Sequence, residues 1–358
     1  SDHMTDSKDC KKRWIVDQLP VPGECPACGS HNLTEPRDFN LMMKTYVGPV
    51  FDEEHKAYLR AETCQPIFVD FNTIRVSTRQ KLPFGIAQIG KSFRNEINPR
   101  NFTFRSREFM QMEMEFFCED EGSLDWFDYW MKQRWEFYTK ILRIPENKLR
   151  WHWHEKLAHY AKKAVDIEFE FPFGWDEVEG IHHRGTWDMS QHAKFSGEEA
   201  ACSVFNPDTK ESHYPTVVET SCGLDRICLM LLCNAYEEDT AATQKADKDE
   251  DLRVVLHLAA KLAPVQAAVL PLSKKLEAPT RELQKALRAA DIRTEYDDTG
   301  SIGKRYRRQD EIGTPFCVTY DFDTENDHAV TVRDRDSMQQ ERVAIDSLPG
   351  FLLAKIHS

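Results

Sequence analysis

No run of about 18 apolar residues occurs in the 358-residue sequence, so nothing in it reads as a membrane-spanning helix. The first residues lack the charged-then-apolar pattern of a secretory leader. Positive charge is in deficit, with 47 lysines and arginines against 60 aspartates and glutamates. The resulting net charge of -13 excludes a protein that coats nucleic acid by bulk charge, while leaving room for a local basic patch. Regular cysteine spacing is missing too. Ten cysteines at uneven intervals predict reduced thiols and a cytoplasmic setting, not a disulfide framework. There is no internal repeat.

What is present suits a globular chain of two domains, 41% hydrophobic and 30% charged. The tract from Tyr236 to Leu252, "YEEDTAATQKADKDEDL", is highly charged and has almost no apolar period, which predicts a linker over 241–252. Before it, strand-like alternation dominates in "VDIEFEFPFGW", "EFMQMEMEFF" and "YPTVVE". Ser123 is placed to cap a helix running to about Ile141, with Phe127, Met131, Trp135 and Tyr138 at helical spacing. After the tract, "QAAVLPL" reads as a buried strand, "TRELQKALRAADI" as a helix, and "FCVTYDF" and "AVTVRDRD" as strands, giving a small α/β domain.

The stretch Ser92–Phe117, "SFRNEINPRNFTFRSREFMQMEMEFF", carries the most chemistry. Residues two apart in a strand share a face, so Phe109, Gln111, Glu113 and Glu115 line one side and Met110, Met112, Met114 and Phe116 the other. The methionine side reads as core and the glutamate side as a polar wall. That wall is either a solvated sheet face or a ligand site. Arginines gather at the loop (Arg94, Arg100, Arg105, Arg107) and carboxylates further along, a polarity that suits a ligand with phosphate at one end and ammonium at the other.

These residues carry a resemblance. "FRNE" with "FRSREF" resembles motif 2 of the class II aminoacyl-tRNA synthetases, and "GLDR" at Gly223–Arg226 resembles their motif 3. More narrowly, "NLMMKTYVGPV", "YLRAETCQPIF", "KLPFGIAQIGKSFRNEI", "REFMQMEMEFF", "DIEFEFPFGWDEVEGI" and "GSIGKRYRRQDEIGTPFCVTYDFDT" are similar to the dimeric-type glycyl-tRNA synthetase family, from about Asp9 onward. The resemblance implies an α+β catalytic domain built on an antiparallel sheet over 36–240, preceded by a zinc knuckle or insertion over 1–35 and followed by an α/β anticodon-binding domain over 253–358.

It also implies roles. Arg94 would hold the α-phosphate of ATP, Glu96 would accept from the adenine amino group, Phe109 would stack on the adenine, and Arg105 would reach the terminal phosphates. Arg226, at the start of "LDRICLMLLCNAY", would add the positive end of that helix to its grip on the γ-phosphate. Asn95, Phe104, Glu177, Val178 and Gly223 complete the implied ATP set. Glycine has no side chain to grip, so a small acidic pocket must hold its ammonium; Glu62, Gln111, Glu113, Glu219 and Ser221 match those positions. Glu219, read as closing the strand "YPTVVE", would ligate Mg²⁺. The histidines His152, His154, His182 and His183 invite a metal reading that the family motif does not use.

Cys10, Cys25 and Cys28 match part of two Cys-x-x-Cys pairs that hold structural zinc in family members. Arg13 stands where the remaining cysteine would be, leaving two readings: His31 as the fourth ligand, or a half-lost knuckle. Ala61, Cys64 and Pro66 depart from the family's pattern beside the glycine site. Motif 1, which builds the homodimer interface, is not seen here. In the second domain Lys304, Arg305, Arg307 and Arg308, with Tyr306 among them, predict contacts to tRNA(Gly). The leading expectation is ATP-dependent glycine activation and transfer to tRNA(Gly). The alternatives are an adenylate-forming paralogue with another acceptor and a non-catalytic nucleic-acid-binding subunit.

Overall fold

The computed structural model describes residues 3–16, 19–155, 157, 161–207, 209–239 and 252–357. The linker expected over 241–252 lies outside these residues except for Leu252. The chain separates into two compact units, 1–137 with 145–230, and 138–144 with 231–358.

The first unit is organised by a six-stranded antiparallel sheet. Its strands are β1 (Phe84–Phe93), β2 (Glu108–Cys118), β3 (Leu149–Trp153), β4 (Lys163–Phe171), β5 (Gly174–Gly185) and β6 (Thr216–Gly223), in the order β1-β2-β6-β5-β4-β3. β4 and β5 form the hairpin of "EFPFGW", where Gly174 supplies a positive φ of 111° at the turn. Helix α1 (Cys64–Ser77) packs Ile67, Phe68 and Phe71 onto Phe84 and Phe117, with the Phe71 and Phe117 rings 4.6 Å apart. Helix α2 (Ser123–Glu136) covers the far end of β2, where Trp126 and Trp130 lie against Phe116. Gly122, in the left-handed region, caps this helix in place of the expected Ser123, whose buried hydroxyl instead meets His183 Nε2 at 2.9 Å. The helix ends at Glu136 and a π turn, Phe137–Ile141, follows. Helix α3 (Trp187–Ser196) supplies Met189 and Ala193 to the core shared with α1, and α4 (Leu224–Ala235) follows β6 directly. Ahead of all this, three short strands, His3–Asp6, Arg13–Ile15 and Arg37–Asp38, make a small antiparallel sheet.

The second unit holds a five-stranded mixed sheet of β7 (Ala267–Pro271), β8 (Thr294–Tyr296), β9 (Phe316–Tyr320), β10 (Ala329–Asp334) and β11 (Gln340–Ala344), in the order β8-β7-β9-β10-β11. The first three are parallel and the last two antiparallel. Leu283 and Leu287 of α5 (Glu277–Ala289) bury against Val269 and Val318, and α6 (Ile302–Glu311) and α7 (Leu348–His357) complete the unit. The expected α/β pattern is therefore observed, element for element, over "QAAVLPL", "TRELQKALRAADI", "FCVTYDF" and "AVTVRDRD".

Candidate active site

The site is built from rows of side chains that run across the sheet. One row passes from Gln88 through Glu113, Ser221 and Gly180 to Asp166; the next passes from Ile86 through Glu115 and Glu219 to His182. The alternation along β2 falls as expected, but the burial is the reverse of the expected one. Gln111, Glu113 and Glu115 are almost fully buried, whereas Met110, Met112 and Met114 are only half covered. The reason is coverage: Thr63 and the first turn of α1 close over the glutamates, while on the other face α2 packs its tryptophans on Phe116. The polar wall is therefore an interior surface.

A cleft with a cavity volume of about 200 Å³ opens above it. Its lining includes Glu62, Arg94, Glu96, Phe104, Arg105, Phe109, Gln111, Glu113, Glu177, Glu219, Ser221, Gly223 and Arg226, so the structure brings most of the expected residues together. Two do not join them. Asn95 turns away and donates to Asn40 O, and Val178 is buried in the sheet.

The acidic end is tightly wired. Glu113 accepts from Thr63 N at 2.9 Å, Thr63 Oγ1 at 2.5 Å and Gln111 Nε2 at 3.2 Å. Burial and the neighbouring Glu219 charge outweigh the Thr63 hydrogen bond and push the Glu113 carboxyl up to about 7. Gln111 also donates to Ser221 Oγ at 2.8 Å. Glu219 accepts from His182 Nδ1 at 2.7 Å and Arg184 Nη1 at 2.6 Å; although burial would raise it, these partners bring it down to about 2. Arg184 is itself clamped by both oxygens of Asp188. Glu219 lies in the middle of β6, not at its end, and each oxygen already has a partner, His182 Nδ1 on one and Arg184 Nη1 on the other. It does not fit the expected magnesium role, because a metal would have to displace those partners. The rings of His152, His154 and His182 lie in a row, 5.9 and 6.1 Å apart, but they share no ligand position: His154 pairs with Asp166, His182 with Glu219 and His183 with Ser123.

At the other end, Arg94 donates from Nε to Ala61 O at 3.1 Å and lies over the Phe109 ring. Arg226, in the first turn of α4, donates to Phe104 O and Glu177 O and stacks on Phe104 at 4.3 Å. Arg105 reaches Glu96 at 3.4 Å. These contacts fix guanidinium planes at the rim of the cleft, a geometry suited to polyanionic oxygen.

Among the lining residues not expected at the site, His182 and Arg184 are the two that hold Glu219. Counting by twos along β5 from Glu177 puts both on the opposite face. The structure has a β-bulge at Val178: Glu177 pairs with Glu168, but Glu179 pairs with Ile167. The extra residue returns Gly180, His182 and Arg184 to the side of Glu177 and sends Glu179 to meet Arg134 of α2. Gly180 is required at this point, since a Cβ there would lie 2.7 Å from His182 Cε1.

Near the N-terminus the sulfurs of Cys10, Cys25 and Cys28 lie within 4.8 Å of one another, with Cys10 and Cys25 3.6 Å apart. Burial raises the Cys25 thiol, but backbone N–H groups of Ala27 and Cys28 and the neighbouring thiols bring it down to about 6. His31 is not a fourth member; its Nδ1 lies 3.1 Å from Gly23 O. Arg13 pairs with Asp6.

In the second unit the expected RNA-contacting cluster is largely consumed by the fold. Arg305 is buried and donates to Pro271 O and Gly300 O, tying α6 to the end of β7. Arg308 binds Asp297 and Thr299 O, Arg307 donates to Leu252 O, and Tyr306 bonds Thr319 and packs on Arg333. Arg305 and Tyr306 are thus structural, because a phosphate or base could reach them only by displacing these partners. Lys304 is exposed.

Residues 46–236 match the family model described as the tRNA synthetase class II core domain (G, H, P, S and T), and 266–355 match one described as an anticodon binding domain. The antiparallel sheet with its cleft is thus the core of a class II aminoacyl-tRNA synthetase. A glycine–tRNA ligase of Borreliella burgdorferi is 49% identical over 361 residues, covering 99% of this chain and 80% of the relative. Glycine–tRNA ligases of Treponema denticola (48%, covering 96% and 76%) and Agathobacter rectalis (50%, covering 99% and 82%) are similarly related. The chain belongs to the glycine–tRNA ligase family.

Proposed function

We propose that this protein activates glycine with ATP and transfers it to tRNA(Gly). The observation that carries this reading is the polarity of one cleft, with Arg94, Arg105 and Arg226 at one end and buried carboxylates at the other. A glycine carboxylate oxygen attacks the α-phosphorus; the bond to the β-phosphate oxygen breaks, and its electron pair leaves with pyrophosphate. Arg94 neutralises the charge growing on the α-phosphate and Arg226 grips the γ-phosphate, both as rigid donors already aimed by backbone carbonyls. Phe109 offers adenine a face and Glu96 accepts from its amino group. Glu62, Glu113 and Glu219, with Ser221 beside them, hold the ammonium and leave no room for a Cβ. A terminal ribose hydroxyl of the tRNA then attacks the carbonyl carbon, and AMP leaves. Magnesium, which family members use with ATP, screens the phosphates when bound; no step here depends on a residue assigned to it.

We assign activation to 36–240 and tRNA recognition to 253–358, with Lys304 the exposed basic contact. The setting is the cytoplasm, consistent with reduced thiols, and the assembly is a homodimer if the motif 1 region is present, which sedimentation tests. Cys10, Cys25 and Cys28 would hold one structural zinc; elemental analysis should give about one zinc per chain, and none in a folded preparation would assign the cysteines to a lost knuckle. The function itself is tested by glycine-dependent ATP–pyrophosphate exchange, followed by charging of a tRNA(Gly) transcript. Exchange with alanine or serine equal to that with glycine would overturn it.

A further inference from the structure

Beneath the cleft lies an acid that the reaction just described does not use. Glu115 is fully buried, sits directly opposite Glu219 in the β2–β6 pairing, and does not line the cleft. Among the described residues neither of its oxygens has a hydrogen-bond donor. One oxygen each of Glu113, Glu115 and Glu219 and the sulfur of Cys64 lie within 4.8 Å of one another. Around Glu115 stand the acids Glu113 on its own strand and Glu219 on β6, the Cys64 thiol at the start of α1, and the His182 imidazole and Arg184 guanidinium on β5. Both of these are engaged by Glu219, and Glu113 is occupied with Thr63 and Gln111. Two ionised carboxylates facing each other in a dry interior, one with no donor at all, repel strongly; a single proton on the undonated one removes the repulsion and makes it the missing donor.

Resting on the glycine-activation reading, we propose that Glu115 is a positioning residue for amino-acid recognition, a neutral acid whose hydroxyl donates to Glu219 and holds that carboxylate toward the ammonium site. Burial and the Glu219 charge, which push its carboxyl well above the usual range, agree with this assignment. Glu219 is then fixed from three directions, by His182, Arg184 and Glu115, and keeps its full negative charge for glycine.

Glycine-dependent pyrophosphate exchange on Glu115→Gln and Glu115→Met tests this. The amide can still donate and cannot ionise, so Glu115→Gln should keep the glycine KM within about threefold of wild type and leave its pH profile unchanged. Glu115→Met removes the donor and should raise the glycine KM about tenfold, with kcat and the ATP KM unchanged. Equal damage from both variants would mean that a charge is required at 115, and a wild-type glycine KM in Glu115→Met would mean that nothing is positioned; either overturns the proposal. Should neither variant fold, infrared spectroscopy of the wild-type protein at about pH 9, above the ionisation of Glu113 near 7, decides it: a buried carboxylic-acid carbonyl stretch is expected, and its absence overturns the proposal. Absence of any glycine-dependent exchange in the wild type would instead overturn the functional reading.

Discussion

Arginines gather in two places in this chain and do opposite work. In the cleft, Arg94 and Arg226 give only part of each guanidinium to backbone carbonyls; among the described residues the terminal nitrogens of Arg94 have no protein acceptor. In the second unit, the buried Arg305 is spent on Pro271 and Gly300, and Arg333 pairs with both oxygens of the buried Asp310 at 2.8 and 3.0 Å. Both groups look alike as strings of letters. What separates them is whether the surrounding chain supplies acceptors that saturate the fork, and that decides between a binding group and an architectural one.

The comparison breaks most visibly at the cleft. Arg94→Ala and Arg226→Ala should each abolish glycine-dependent exchange, a loss of about 3 kcal/mol or more in transition-state stabilisation, with the thermal midpoint little changed. Near-normal exchange in either variant would move that residue to the architectural class. Arg305→Ala should do the converse. It leaves the carbonyl of buried Pro271 without this donor, so the second unit should lose about 2 kcal/mol of stability, read by chemical denaturation, while exchange by the intact remainder persists. Unchanged stability with lost tRNA affinity would return Arg305 to the RNA surface.

A smaller effect is expected at the acidic end. Glu113→Gln should raise the glycine KM about tenfold and leave the ATP KM alone, because it deletes a charge-assisted partner of the ammonium. The wild-type glycine KM should also fall as pH rises through about 7, where Glu113 ionises. Stability runs the other way. The folded carboxyl sits above its ordinary value of 4.5, so its contribution is fully present at lower pH and is lost as pH rises through about 7. A thermal midpoint of Glu113→Gln that gains on wild type between pH 5 and pH 8 would show this linkage. The smallest change is predicted for Lys304→Ala, which should lower the salt slope of tRNA binding by about one and leave both stability and exchange as they are.

Much of the cleft was legible because strand alternation names which residues share a face. Gln111, Glu113 and Glu115 were grouped on that basis alone. Alternation does not say which face is covered, and here the glutamates went inside because Thr63 and α1, some fifty positions earlier in the chain, close over them. The second unit shows the same limit in a helix. In "IGKRYRRQDE" only Ile302 and Tyr306, one turn apart, mark the face that packs on β7 and β9, and the acceptors that claim Arg305 and Arg308 come from Pro271, Gly300, Asp297 and Thr299, which nothing in the helix itself announces. For His31, a position near three cysteines in sequence was no guide to direction, since its ring turns to Gly23 O.

The extra residue at Val178 acts like a punctuation mark in a reading frame. Upstream of it the odd-numbered Glu177 faces the cleft, and downstream the even-numbered Gly180, His182 and Arg184 do. Shortening the strand by one residue at this point would therefore not trim the site but transpose it, carrying Glu179 into the cleft and His182 and Arg184 out of it. The length of this short segment is consequently under as strict a constraint as the identity of its side chains. Homologous chains that keep the site are expected to tolerate substitutions at Val178 more readily than its loss.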